Sequence, residues 1–219
     1  MKGAKIHRIL IVEDHEVFRL GIKELIDHES DLSVCGEADD AAGALTMLEE
    51  LDPDMAIVDI TLRNGNGMDL IREICSKPRP PLVLVLSMHD ELLYAERCLQ
   101  AGAQGYIMKQ ETSRSIVKAI RHILGGNIYV SEAVTSSILR RVRSGGEASG
   151  RTPMETLSDR ELVVLRMIGE GKATSEIAAS MNLSVSTIGT YRERIKEKLH
   201  LRNAAELVRF AVRWVEDGR

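Results

Sequence analysis

The sequence predicts a doubly wound α/β domain with a five-stranded parallel sheet over residues 1–128. A connector with a helix follows at 129–155, and a small all-α domain occupies 156–219. Three observations carry this reading. Apolar runs of about five residues alternate with longer segments of helical period through the first half of the chain. Four of those runs each deliver a chemical group at the carboxyl end: Ile9-Leu10-Ile11-Val12 leads to Glu13 and Asp14, Met55-Ala56-Ile57-Val58 to Asp59, Leu82-Val83-Leu84-Val85-Leu86 to Ser87, and Tyr106-Ile107-Met108 to Lys109. The last seventy or so residues carry helix signals instead.

Taken in order, the first strand lies near Arg8–Val12 and the first helix near Glu16–Asp27, with Val17, Leu20, Ile22, Leu25 and Ile26 available to its buried face. A strand near Leu32–Cys35 precedes a helix near Ala41–Leu51. That helix stops before Pro53, because the residue ahead of a proline disfavours helix. The third strand is Met55–Val58. The loop Leu62–Gly67 holds two Asn-Gly steps, both turn formers, and a helix follows at Met68–Ser76. Pro78, Pro80 and Pro81 lead into the fourth strand. A helix at Asp90–Ala101, a strand at Gly105–Met108 and a helix at Ser113–Leu124, stopped by Gly125-Gly126, complete five strand–helix pairs.

Parallel strands place all four chemical groups on one edge of the sheet, where open α/β sheets bind ligands. An unpaired carboxylate ending an apolar run is expensive, so Asp59 is expected to have a task. Three acids, a hydroxyl and an amine on one edge read as a cation-and-phosphoryl site centred on Asp59. Alone, Lys109 would read as a surface lysine, Ser87 as a helix cap, and His15 and His89 as rim residues. Together on one edge, the acids, Ser87 and Lys109 are not explained by those readings.

Composition narrows the classes. Hydrophobic and charged fractions of 44% and 28% are those of a soluble globular protein. At 3% aromatic residues, base-stacking platforms for single strands are not expected. No apolar stretch approaches a membrane span, so a cytoplasmic protein without a membrane partner is expected. Cys35, Cys75 and Cys98 are odd in number and far apart, as suits a reducing compartment. Neither C-x-x-C nor H-E-x-x-H occurs, and no zinc site is expected. Residues 1–149 carry 17 Lys and Arg against 23 Asp and Glu, while residues 150–219 carry 12 against 10. An acidic first domain and a mildly basic second one hint at a polyanion partner for the latter.

Beyond residue 128, Ser131–Arg143 reads as a helix with Val134, Ile138, Leu139 and Val142 on one side, and Ser144–Gly150 as a flexible linker. A capping box, Ser158 with Glu161, and a Leu157–Leu162 staple open a helix at Ser158–Glu170 closed by Gly171. A short helix at Thr174–Met181 and a turn at Asn182-Leu183 lead to Ser184, the cap of a helix reaching about Leu199. Ile188, Ile195 and Leu199 form its apolar stripe. A last helix near Ala204–Val215 carries Leu207, Val208, Ala211 and Val212. Two helices about a tight turn, the second amphipathic and basic, make a helix-turn-helix.

Glu13-Asp14, Asp59, Ser87 and Lys109, with the Asn66-Gly67 turn after the central acid, resemble the receiver domain of two-component response regulators, a flavodoxin-like fold. Leu157-Ser158-x-Arg160-Glu161, Glu176-Ile177-Ala178 and Leu183-Ser184-x-Ser186-Thr187-Ile188 resemble the LuxR-type helix-turn-helix domain. Together the chain resembles a response regulator of the NarL/FixJ type.

The resemblance implies that Asp59 accepts a phosphoryl group from a sensor histidine kinase. It implies Mg²⁺ held by Asp14 and Asp59, by Glu13 through water and by the Thr61 backbone carbonyl. Lys109 and Ser87 would contact the phosphoryl oxygens, and Tyr106 would be the switch aromatic that turns as Ser87 moves. Arg63 and Gln110 depart from the prolines that many receivers carry there, and His89 stands where the family tunes access of hydrolytic water. In the second domain, double-stranded DNA is the implied partner, bound by a homodimer. Ser186 belongs to that surface, Thr187, Arg192, Arg194, Lys196 and Lys198 are assigned to phosphates, and Thr190 to a base edge. Such a protein is not a turnover enzyme. A phosphatase of the haloacid dehalogenase type would need a second Asp two places after Asp59, where Thr61 stands. A regulator working without phosphorylation would have no use for the complete set of acids.

Overall fold

Strands β1 (His7–Val12), β2 (Leu32–Ala38), β3 (Met55–Asp59), β4 (Leu82–Ser87) and β5 (Gly105–Met108) pair all parallel in the order β2-β1-β3-β4-β5. Between them run α1 (Glu16–Asp27), α2 (Ala41–Leu51), α3 (Gly67–Cys75) and α4 (Glu91–Gln100). A single 3₁₀ turn at Lys109–Glu111 and α5 (Thr112–Leu124) follow β5. The computed structural model describes residues 5–62, 66–88, 90–143, 153–181 and 183–217. Arg63, His89, the Ser144–Gly150 linker and Asn182 of the expected turn lie outside these.

The three inner strands read as unbroken apolar runs because both of their faces are covered. Ile9, Ile11, Met55, Ile57, Leu84, Leu86 and Ile107 pack on one face against Ile22 and Ile26 of α1 and Ile116, Ile120 and Ile123 of α5. Their alternating neighbours Leu10, Val12, Ala56, Val58, Val83 and Val85 are equally buried and point to the other face. Register then sets the working edge: Val12 pairs with Val58, Asp59 with Leu86, and Ser87 with Met108. The residues that follow β1, β3, β4 and β5 therefore emerge side by side.

Several details depart from the sequence pattern. Strand β2 runs on to Ala38, with a register shift against β1 between Ile9 and Leu10. Being an edge strand, it is only half-buried through its middle, and its apolar signal is weak there. On α1, Val17 and Leu20 are exposed, at 85% and 50%, and do not join the buried face. At about 100° per residue, Phe18, Ile22, Leu25 and Ile26 share one side while Val17 and Leu20 fall on the other.

The helix α6 (Glu132–Arg143), read from sequence as part of the connector, belongs to the first of two compact units, residues 1–143 and 144–219. The chain ahead of it pairs with the β5 edge, where Tyr129 N donates to Gln104 O at 2.9 Å and Tyr129 O accepts from Tyr106 N at 2.9 Å. Ser131 Oγ donates to Glu91 Oε1 of α4 at 2.7 Å, and α6 packs on α4. Val134 is buried there, but Leu139 and Val142, expected beside it, are exposed.

In the second unit a 3₁₀ turn (Pro153–Thr156) precedes α7 (Asp159–Gly169), α8 (Thr174–Ser180), α9 (Val185–Lys198) and α10 (Ala204–Asp217). The capping box is present: Ser158 N donates to Glu161 Oε2 at 2.6 Å and Glu161 N to Ser158 Oγ at 3.4 Å. Gly171, at φ +81°, ends the helix. Leu162, Leu165, Ile177, Ile188, Ile195, Leu207 and Ala211 form the core. Gly169 lets α10 approach closely, since a Cβ there would stand 2.4 Å from Ala211 O. Val208, placed by its pattern on the buried stripe of α10, is 40% exposed.

Candidate functional site

The edge assembled by β1, β3, β4 and β5 brings the predicted acids and lysine into contact. Glu13 and Asp59 are each 1% exposed. Lys109 Nζ reaches both, lying 2.9 Å from Asp59 Oδ2 and 2.6 Å from Glu13 Oε2. The ammonium also sits 4.9 Å from the centroid of the Phe18 ring, a cation–π contact from α1. Thr61 N donates to Asp59 Oδ1 at 3.0 Å, fixing the carboxylate plane. His15 N donates to Glu13 Oε1 at 3.0 Å, and Arg19 donates to the Glu13 carbonyl at 2.6 Å. One ligand atom from each of Glu13, Asp14, His15 and Asp59 lies within 4.8 Å of the others.

Two buried carboxylates sharing one lysine, with Asp14 beside them, leave an excess of negative charge in a secluded place. Burial pushes the Asp59 carboxyl up to about 6. The Lys109 charge pulls against that, and the Glu13 charge adds to it. Burial pulls the lysine downward, but Asp59 and Glu13 outweigh it and hold the ammonium above its usual range. A divalent cation fits this donor set, being oxygen-rich, under-neutralised and preformed.

The loop after β3 approaches closely. A Cβ on Gly67 would stand 2.2 Å from Asp59 O and 2.6 Å from Ile60 Cα, while Gly67 N donates to Ile60 O at 3.0 Å. Asn66 caps α3, its side chain accepting from Met68 N at 2.9 Å. The Asn66-Gly67 step is thus a helix start pressed against the backbone of Asp59 and Ile60, more than the turn its sequence suggests. Ser87 is fully buried at the end of β4 and is hydrogen-bonded to the Tyr106 hydroxyl. Tyr106 is itself 3% exposed, and burial raises its hydroxyl's pKa against the pull of that bond. Phe18 and Arg19 touch this site without a local pattern that marks them.

In the second unit the residues assigned to DNA lie along α9. Ser184 caps it, accepting from Thr187 N at 3.0 Å and sharing hydrogen bonds with the Ser186 and Thr187 hydroxyls at 2.7 and 2.8 Å. Ser186, Thr190 and Arg194 are exposed, and Thr187 and Arg192 half-buried. Thr190 Oγ1 donates to Ser186 O at 3.2 Å, so its hydroxyl keeps lone pairs for a donor from outside. Apart from its chain neighbours and the helix's own backbone, no atom of the described residues lies within 4 Å of where a Gly189 Cβ would stand. Two lysines have partners already: Lys196 Nζ is 2.8 Å from Glu193 Oε2, and Lys198 Nζ is 2.7 Å from Glu161 Oε2. Glu161 is 2% exposed, so Lys198 ties the end of α9 to the capping box of α7.

Comparison with known proteins agrees with this layout. The response regulator receiver domain family matches residues 9–121, and the bacterial regulatory proteins of the luxR family match residues 155–211. The chain is a response regulator of the NarL/FixJ type. The regulator is 33% identical over 208 residues to the virulence-factor transcription regulator BvgA of Bordetella pertussis, covering 94% of this chain and 97% of that protein. It is 30% identical over 208 residues to the transcriptional regulatory protein LiaR of Bacillus subtilis, with the same two coverages. Among solved structures, RcsB from Salmonella enterica serovar Typhimurium, bound to promoter rprA in the presence of phosphomimetic BeF₃⁻, is similar with a TM-score of 0.66. The identity is 25%, over 95% of this chain and 99% of that one. The regulator thus joins a receiver to a LuxR-type DNA-binding domain and acts in transcription. Among the described residues, no helix is long and apolar enough to cross a membrane.

Proposed function

We propose that the regulator takes a phosphoryl group onto Asp59 from a sensor histidine kinase and, so modified, pairs as a homodimer on double-stranded DNA in the cytoplasm. The observation that carries this is the buried ammonium of Lys109 bridging Asp59 and Glu13. It puts a fixed positive charge beside the acid that gains a dianion. Asp59 Oδ attacks phosphorus as the bond to the kinase histidine nitrogen breaks, and Lys109 follows the charge from the carboxylate to the new phosphoryl oxygens. Asp14, Asp59 and the Thr61 carbonyl, with Glu13 through water, would hold Mg²⁺, which would add neutralisation of those oxygens. Ser87 then hydrogen-bonds the phosphoryl group. Doing so draws its hydroxyl from Tyr106, and the freed ring resets the face formed by α4, β5 and α5. Receiver and acceptor being one chain, the reaction is stoichiometric, and the regulator is not a turnover enzyme.

On DNA, Arg192 and Arg194 are the phosphate contacts that carry most weight, with Ser186 and Thr187 at the helix start and Thr190 reading a base edge. Two weakly binding modules joined in one dimer gain affinity through effective concentration. The promoter-bound RcsB structure, prepared with a phosphomimetic, supports the same order of events. The test is size-exclusion light scattering and duplex binding before and after beryllium fluoride with Mg²⁺. Dimerisation together with tighter binding is expected, and a monomer with unchanged affinity would remove the proposal.

A further inference from the structure

His15 stands at the acidic pocket with no part in the phosphoryl chemistry. It precedes α1 as the N-cap residue, yet its side chain caps no amide of that helix. The ring turns instead to the acids, its Nδ1 lying 2.9 Å from Asp14 Oδ1 and 3.2 Å from Glu13 Oε1. Those separations have a second meaning. Neighbouring ligands of an octahedral ion with bonds of about 2.1 Å lie about 3.0 Å apart, the edge of the octahedron. In its Nε2–H tautomer the neutral ring turns a lone pair from Nδ1 toward the same point as the two carboxylates. A cation can then occupy that point with little movement of the donor atoms.

The donor set also differs from one built for magnesium alone. Mg²⁺ takes oxygen ligands and keeps several waters, so an imidazole at the rim adds nothing to its binding. Later first-row ions gain from a nitrogen ligand, in the order manganese, iron, cobalt, nickel. Glu13, Asp14 and Asp59 supply oxygens, His15 the nitrogen, and all four donor atoms fall within 4.8 Å of one another. The His15 side chain is 68% exposed. It also lines an open cavity of about 670 Å³ with Phe18, Met88 and Lys109. Glu13 and Asp59, 1% exposed beneath it, are held in place by Lys109, Thr61 and Arg19.

We infer that His15 is a further protein ligand of the phosphoacceptor pocket for borderline divalent ions of the nickel and cobalt class. It makes the pocket bind them more tightly than magnesium. The inference rests on the reading of the pocket as a Mg²⁺ site, and its test keeps the two apart. The full-length chain is titrated calorimetrically with Mg²⁺ and, separately, with Ni²⁺, in the wild type, His15→Ala and His15→Gln. Gln keeps a hydrogen-bonding side chain for the two acids but offers no imidazole, so it guards against a merely structural loss.

Both variants are expected to lose about tenfold or more in Ni²⁺ affinity while Mg²⁺ binding moves by less than about twofold. Excess Mg²⁺ is expected to suppress the wild-type Ni²⁺ heat, because the same carboxylates hold both ions. Equal losses for the two ions, an unchanged Ni²⁺ affinity, or Ni²⁺ heat indifferent to Mg²⁺ would each overturn the role of His15. A wild type that binds no Mg²⁺ at all would overturn the underlying pocket instead.

Discussion

The pocket at Asp59 and the face of α9 both gather charge, but in opposite settings. In the pocket the charges are buried and bonded to one another, Glu13 and Asp59 paired with a lysine whose side chain is 7% exposed. On α9, Arg194 is exposed and Arg192 half-buried, and neither side chain makes a hydrogen bond or ion pair with another described residue. Buried charge stores energy in the free protein, because desolvation must be offset by partners already in place. Exposed charge is screened and gains its worth when a polyanion arrives. A signal-storing site and a DNA-reading site therefore answer differently to the same kind of mutation.

The largest expected effect lies in the pocket. Lys109→Met leaves Glu13 and Asp59 without their shared ammonium, and costs about 3 kcal/mol in metal-free protein by urea unfolding. Millimolar Mg²⁺ is expected to restore part of that loss. Asp59→Asn acts the other way. The folded state holds the Asp59 proton up to about 6, above the ordinary 3.8. The stability this group lends is then complete below about 3.8 and gone above about 6. Asn removes the cost of the buried charge, so metal-free Asp59→Asn is more stable at neutral pH by roughly 2 kcal/mol, and matches the wild type in acid. A difference that does not vary with pH would contradict the buried-charge account. Gly67→Ala forces a methyl into the Asp59 backbone, costs about 2 kcal/mol, and slows phosphorylation.

The smallest effects sharpen the contrast on α9. Arg194→Ala should leave stability within about 0.5 kcal/mol and lower the salt slope of DNA binding by about one. Lys198→Met should do the reverse, lowering the thermal midpoint because Glu161 loses its partner, with little change in slope. If Lys198→Met changes the slope and not the midpoint, it contacts phosphate after all, and the division between the two regions weakens.

How much of this was legible in the sequence follows from how local each cause is. Strands buried on both faces must be apolar throughout, so β1, β3 and β4 stand out as runs, and the groups closing them stand out as exceptions. Periodicity marks a helix but not its orientation when apolar residues ring it, which is why Val17 and Leu20 on α1 and Leu139 and Val142 on α6 were assigned to buried faces they do not occupy. The staple of Lys198 to Glu161 spans 37 residues, and nothing near Lys198 distinguishes it from a phosphate-binding lysine. Gly67 reads as a turn former because its real constraint, the backbone of Asp59, lies across a loop. His15 is marked only by its distance to two acids, which a sequence does not display.

The most direct test of the central claim is intact-protein mass spectrometry after incubation with acetyl phosphate and Mg²⁺. The wild type is predicted to gain a single phosphoryl group that hydroxylamine or base removes, as an acyl phosphate requires, absent in Asp59→Asn and without Mg²⁺. An adduct of equal yield on Asp59→Asn, or none on the wild type, would contradict the assignment of Asp59 as the phosphoacceptor.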